Sequence, residues 1–140
     1  MSGAGQINKP HAVVQPPDWK RPKGFANGMV AEGRLVFLAG QVGWNADQEF
    51  ESDDFVAQAR QALANIVALV AEAGGRPEHI TRLTWFVLDK REYVARLREL
   101  GAAYRSAMGR HFSPMTLVQV AALVEDRAKV EIEATAVVPR

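Results

Sequence analysis

The chain has 140 residues, 48% of them hydrophobic, with 17 basic against 16 acidic side chains, a formal net charge of +1 and no cysteine. That length suits one compact domain with a sizeable core, and the balanced charge gives no reason to expect nucleic acid or an anionic membrane as the main partner. The lack of thiols excludes a disulfide framework, a thiolate metal site and cysteine nucleophilic catalysis.

Residues 1–23 hold no apolar run long enough for a signal peptide, and nowhere does the chain approach the roughly 20 apolar residues of a membrane span. The expected address is cytoplasmic. Pro10, Pro16, Pro17 and Pro22 deny this segment a helix and predict an extended arm, with Ala12-Val13-Val14 able to lie along a sheet edge. Residues 24–140 are expected to form the domain itself.

Phe25–Val30 and Arg34–Ala39 read as strands separated by Ala31-Glu32-Gly33, a hairpin pattern in which the glycine can take positive φ. Gly40-Gln41-Val42-Gly43 follows. Neither a GxGxxG nor a Walker pattern accompanies it, so turning the backbone at a strand end is a plainer role than a phosphate cradle. Ser52 or Asp53 can cap a helix over Phe55–Ala73, in which Ala59, Leu63, Ile66, Val70 and Ala73 recur at spacings of three and four. Gly74-Gly75 stops it, and Pro77 prevents resumption. Ile80–Leu88, β-branched and aromatic, is a strand candidate. Asp89 and Glu92 have capping-box spacing for a second helix that carries Tyr93, Leu97, Leu100, Tyr104 and Met108 on one face and ends at Gly109.

Met115–Val124 reads as a well-buried strand. Ala128–Val138 alternates, placing Lys129, Glu131, Glu133 and Thr135 on one side and Val130, Ile132, Ala134 and Ala136 on the other. Glu125-Asp126-Arg127 between them is a short polar connection of the kind that joins antiparallel neighbours. The order ββαβαββ predicts an α+β fold, a mixed sheet with two helices on one face. Because the strands carry apolar residues on both sides, a symmetric oligomer covering the other face is expected.

Two roles are open to Glu131: pairing with Lys129, Arg127 or a neighbouring subunit's arginine, or shuttling a proton in a largely apolar cleft. His11, His79 and His111 lack helical i, i+4 spacing and cysteine support, so no metal site is expected. No cofactor motif is present either. Trp44, Trp85 and Phe112 are suited to stacking an aromatic substrate or to filling the core, and His111 to touching a ligand or facing solvent. No serine lies in a G-x-S-x-G setting.

Three stretches resemble the Rid (reactive intermediate deaminase) family, once grouped with translation-inhibiting ribonucleases. They are Leu38-Ala39-Gly40-Gln41-Val42, Ala57-Gln58-Ala59-Arg60-Gln61-Ala62-Leu63-Ala64-Asn65-Ile66, and Lys129-Val130-Glu131-Ile132-Glu133-Ala134. The helical stretch is similar to the family's QARQALxN run, and the resemblance spans about Gly24 to Val138. It implies a chorismate-mutase-like fold, a homotrimer whose sheets form a central barrel, and small-molecule clefts between subunits.

The resemblance also implies a site. Active deaminases of the family bind the substrate carboxylate through an arginine in a motif like P-x-R-S/T, whereas Ser113-Pro114-Met115-Thr116 has no arginine and carries Met115 after the proline. The family's cleft tyrosine falls on Phe25, its serine on Ala39, its second-helix asparagine near Gly101 and its cysteine on Leu117, while the glutamate that positions the hydrolytic water matches Glu131. A methionine cannot imitate a bidentate guanidinium. The chain thus resembles Rid subgroups lacking that arginine, which implies an enamine or imine deaminase for a substrate not held through an α-carboxylate. One alternative is a non-catalytic trimer that holds a reactive pathway intermediate. Another is a ribonuclease, against which the absence of a basic aromatic strip argues.

Overall fold

The alternation in the last strand decides where the core lies. In the computed structural model, which describes residues 11–140, Val130, Ile132, Ala134 and Ala136 are all buried under the helices, and Glu131 and Glu133 face the other way. The strands are β1 (His11–Val14), β2 (Gly28–Ala31), β3 (Arg34–Val42), β4 (Ile80–Val87), β5 (Met115–Gln119) and β6 (Val130–Val138). The helices are α1 (Phe55–Glu72), α2 (Lys90–Ala95) and α3 (Leu97–Met108), with a 3-10 turn at Pro77–His79. Residues 1–10 of the expected arm lie outside the described residues. Among the described residues no helix is long and apolar enough to cross a membrane.

The main sheet runs β3-β6-β4-β5, with β6 antiparallel to both neighbours and β4 parallel to β5. Trp85 lies beside Ile132 and Leu117, and Leu83 beside Ala134 and Met115, so these residues share the face covered by α1 and α3. Ala59 and Ala62, fully buried, let α1 approach that face closely. On the reverse face Phe86 stands between Glu131 and Val118, and Thr84 between Glu133 and Thr116. That face is open in the single chain: Phe37 is 75% exposed and Leu35 64%.

Neither expected hairpin forms. β2 pairs with β1 in a separate two-stranded ribbon, and the chain passes through Gly33, at φ +149°, into β3, which pairs with β6. β5 ends at Gln119 rather than Val124, and the chain then crosses to the far edge of β4 to enter β6. The reason is topological. A parallel β4–β5 pair closed over helices takes one edge of β4, leaving only the other for β6. Val124, released from the sheet, is 93% exposed.

Local signals at the helix ends are shifted or interrupted by tertiary contacts. The cap of α1 is Asp54, not Ser52 or Asp53: its carboxylate accepts the Ala57 N–H at 3.0 Å, and Ser52 Oγ accepts the Asp54 N–H. Asp89 caps α2 as its spacing indicates, accepting from Arg91 N–H and Glu92 N–H. The second helix breaks at Arg96, whose guanidinium reaches Asp54 at 2.5 Å and Glu99 at 2.6 Å and so ties the α2–α3 junction to the start of α1. The hydrogen bond from Arg96, then the one from Ala57, holds the Asp54 carboxyl below its usual range.

Three histidines scattered in sequence meet around the start of β4. His11 Nε2 donates to the His79 carbonyl at 3.2 Å, His111 Nε2 donates to the Ile80 carbonyl at 2.7 Å, and His79 Nδ1 accepts the Arg76 N–H at 2.9 Å. Burial pushes both His79 and His111 below the ordinary value of 6.5. The unfolded chain therefore takes up protons first, so this contribution to stability is complete above about pH 6.5 and is lost as pH falls through the lower folded values. The melting temperature is expected to drop between about pH 7.5 and pH 5.5. A His111→Asn variant should show a shallower drop, and an unchanged slope would contradict this assignment.

Gly43 offers a second test. A Cβ there would stand 2.5 Å from Gln58 Cα and 2.6 Å from the Gln58 carbonyl oxygen, both parts of the helix backbone. Gly43→Ala should therefore cost about 1–3 kcal/mol in urea denaturation; wild-type stability would mean that α1 and the end of β3 do not meet so closely.

Candidate active site

Beneath α2 and α3 the sheet leaves a chamber of about 500 Å³. Trp85 of β4 and Met115 and Leu117 of β5 line it from the sheet, and Tyr93, Leu97, Leu100, Gly101 and Tyr104 from the helices. Phe25 enters from the segment before β2, held beside β5 because the Ala26 N–H donates to the Ser113 carbonyl at 3.1 Å and Ala26 bridges Pro114. Phe112 completes the wall, stacked on Tyr104 with centroids 5.5 Å apart. A wider groove of about 910 Å³, flanked by His11 and His111, shares Phe25 and Phe112 with the chamber.

The polar groups in the chamber are few. Tyr104 donates its hydroxyl to the His111 carbonyl at 2.7 Å, and burial pushes its phenol up to about 12, so it stays neutral and cannot act as a base near neutral pH. The indole N–H of Trp85 is buried with no acceptor among the described residues. Lys23 and Arg105 are the charged residues of the lining, both exposed, and neither joins an ion pair among the described residues.

Of the residues singled out in the sequence, Phe25, Gly101, Met115 and Leu117 come together in this one chamber. Ala39 and Glu131 do not line it. Ala39 lies where the β3–β6 register shifts between Leu38 and Gln41. Glu131 stands on the reverse face, its carboxylate so close over Gly40 that a Cβ there would collide with Oε2. The glycine serves this close approach rather than a phosphate. Intrachain pairing of Glu131 is not realised among the described residues: Arg127 binds Asp53 at 2.9 Å instead. The rim cations escaped sequence reading, although Arg105 lies four residues after Gly101 and so shares its side of the helix.

The fold is an α+β arrangement with a cavity between the sheet and its helices. The chain belongs to the Rid family: the family model described as Endoribonuclease L-PSP matches residues 20–138. It is 34% identical to a RutC family protein of Pasteurella multocida over 105 residues, 75% of this chain and 81% of that one. It is equally 34% identical to the 2-iminobutanoate/2-iminopropanoate deaminase of Salmonella typhimurium over 108 residues, 75% of this chain and 80% of the relative. Among solved structures it is similar to the Rid-family protein YyfB of Yersinia pestis, with a TM-score of 0.81, 30% identity, and coverage of 92% of this chain and 99% of the other.

The Gly40–Glu131 contact can be tested alone. The colliding atom belongs to the end of a flexible side chain, so Gly40→Ala should leave stability within about 1 kcal/mol while turning the Glu131 carboxylate away. A crystal structure of the variant with the carboxylate unmoved would contradict this.

Proposed function

We propose that the protein hydrolyses a reactive enamine or imine to a carbonyl compound and ammonia, in clefts between the subunits of a homotrimer, on a substrate not held through its α-carboxylate. Family membership and relatives named as imine deaminases support the reaction class. The lack of an arginine in Pro114-Met115-Thr116 supports the substrate restriction, because neither a thioether nor a hydroxyl can replace the charged, bidentate grip of a guanidinium on a carboxylate.

The observation that carries the reading is the position of Glu131. Its carboxylate is cradled at Gly40 without an ion partner among the described residues, on the face opposite the chamber. One chain cannot bring the two together. A ring of subunits that lays the reverse face of one against the chamber rim of the next would do so, and would also cover Leu35, Phe37 and Val118. Burying one phenylalanine-sized side chain contributes about 1.5–3 kcal/mol, so three such residues repeated at every interface give association a substantial driving force.

The chemistry needs no cofactor. An enamine first tautomerises to the imine. Water then adds to the C=N carbon while the Glu131 carboxylate accepts its proton, and the proton passes to nitrogen. Collapse of the resulting carbinolamine forms the C=O bond and expels ammonia, so one imine and one water give one carbonyl compound and one ammonia.

The test is ammonia release from freshly generated imines, comparing 2-iminopropionate with imines that lack an α-carboxylate. Wild type should accelerate only the second group. Glu131→Gln should slow that reaction by about 100-fold or more with the oligomeric mass unchanged. Release that Glu131→Gln leaves untouched would overturn the reading, and absence of any acceleration would favour a trimer that binds a pathway intermediate without turnover.

A further inference from the structure

The deaminase reading leaves open what the chamber selects, and the following inference rests on it. We infer that the chamber takes an aromatic or otherwise unsaturated carboxylic acid whose carboxylate lies remote from the reacting carbon, with Arg105 at the rim as its specificity-determining anchor.

Charge gives the first reason. The charged side chains of the lining are Lys23 and Arg105, both positive, and among the described residues no carboxylate lines the chamber to offset them. Neither is ion-paired among the described residues, whereas Arg96 and Arg127 each hold carboxylates elsewhere. An unpaired guanidinium beside an apolar cavity is suited to a planar carboxylate, which it can grip with two parallel N–H donors.

The seat of Arg105 gives the second. Its Nη1 lies 3.3 Å from where a Cβ on Gly101 would stand, so the guanidinium, though exposed, lies back over the glycine. A Cβ at position 101 would stand in tight contact with it. The missing side chain at Gly101 and the cation at Arg105 therefore act as one feature, a helix surface cleared to bring a positive charge to the cavity.

The walls give the third. Phe25, Trp85, Tyr93 and Tyr104 present aromatic surface, Met115 and Leu117 are apolar, and about 500 Å³ is room for a ring-sized body. A two- or three-carbon imino acid would leave most of that space unfilled. A longer unsaturated acid reaches the rim with its anion while its body fills the chamber.

The test separates recognition from turnover. Calorimetric titration of the whole protein uses trans-cinnamate and its uncharged analogue cinnamamide as probes. Cinnamate should bind at least about tenfold more tightly than cinnamamide. Arg105→Gln should weaken cinnamate about tenfold, leaving cinnamamide within about twofold and the melting temperature unchanged, because Arg105 is exposed; Arg105→Lys should recover part of the loss. Raising salt from about 50 to 500 mM should weaken cinnamate alone. Equal binding of the two probes, no effect of Arg105→Gln, or no cinnamate binding would each overturn the inference. Glu131→Gln should bind cinnamate as wild type does. Discrimination that persists while ammonia release proves independent of Glu131 would therefore sink the deaminase reading and keep the anion subsite.

Discussion

A single buried amide fixes the relations among the elements that carry the site. Gln58, 1% exposed, donates from Nε2 to the carbonyls of Ser52 and Arg127 at 3.0 Å each, and its Oε1 accepts the Lys129 N–H at 2.8 Å. The helix backbone at the same residue packs on Gly43. The approach to α1, the end of β3 and the entry to β6 thus converge on one side chain. Leaving such a group buried without partners would cost about 1–3 kcal/mol, so the amide specifies where the β6 strand begins as well as stabilising it. Farther along α1, Asn65 repeats the device by donating to the Val42 and Trp44 carbonyls at 3.3 and 2.9 Å, with Gln61 donating to its Oδ1. The polar residues of the family-like helical run are pins between helix and strand ends.

Fixing the start of β6 fixes its phase. A strand with period two exchanges all of its inward and outward residues on a one-residue slip, so the Gln58–Lys129 bond is also what turns Glu131 outward and Ile132 into the core. The irregularity in β3 between Leu38 and Gln41 then brings Gly40 beneath the Glu131 carboxylate. Core packing, held the same way, builds the chamber on the opposite face from Trp85, Met115 and Leu117. The proposed catalytic group and the ligand cavity are separated by the thickness of the sheet, a division that makes sense if each cleft draws on two chains.

The parts of this arrangement legible in the sequence are those set by local period. The alternation of Ala128–Val138, the three-four spacing of Phe55–Ala73 and the glycines after it need no knowledge of tertiary contacts. Pairing partners were not legible in that way. Two strands adjacent in sequence look like a hairpin until a helical crossover has claimed an edge of β4, and nothing in Glu125-Asp126-Arg127 announces that the chain passes to the other side. The break at Arg96 depends on Asp54, 42 residues away, and lies beyond any local signal. Within the chamber, Phe25, Gly101, Met115 and Leu117 were reached through the family's motif positions. Arg105 was not, because the motif directs attention to an arginine in β5, which Pro114-Met115-Thr116 lacks.

Whether each cleft unites the chamber of one subunit with Glu131 of another is tested most directly by complementation. Glu131→Gln spoils the carboxylate and Gly101→Trp fills the chamber, so homo-oligomers of either variant should be inactive in ammonia release. Co-expressed in equal amounts, the two should recover about a quarter of the wild-type rate, because random assortment joins an intact chamber to an intact neighbouring carboxylate in about one cleft of four. Mixed oligomers no more active than either parent would contradict a site shared between subunits.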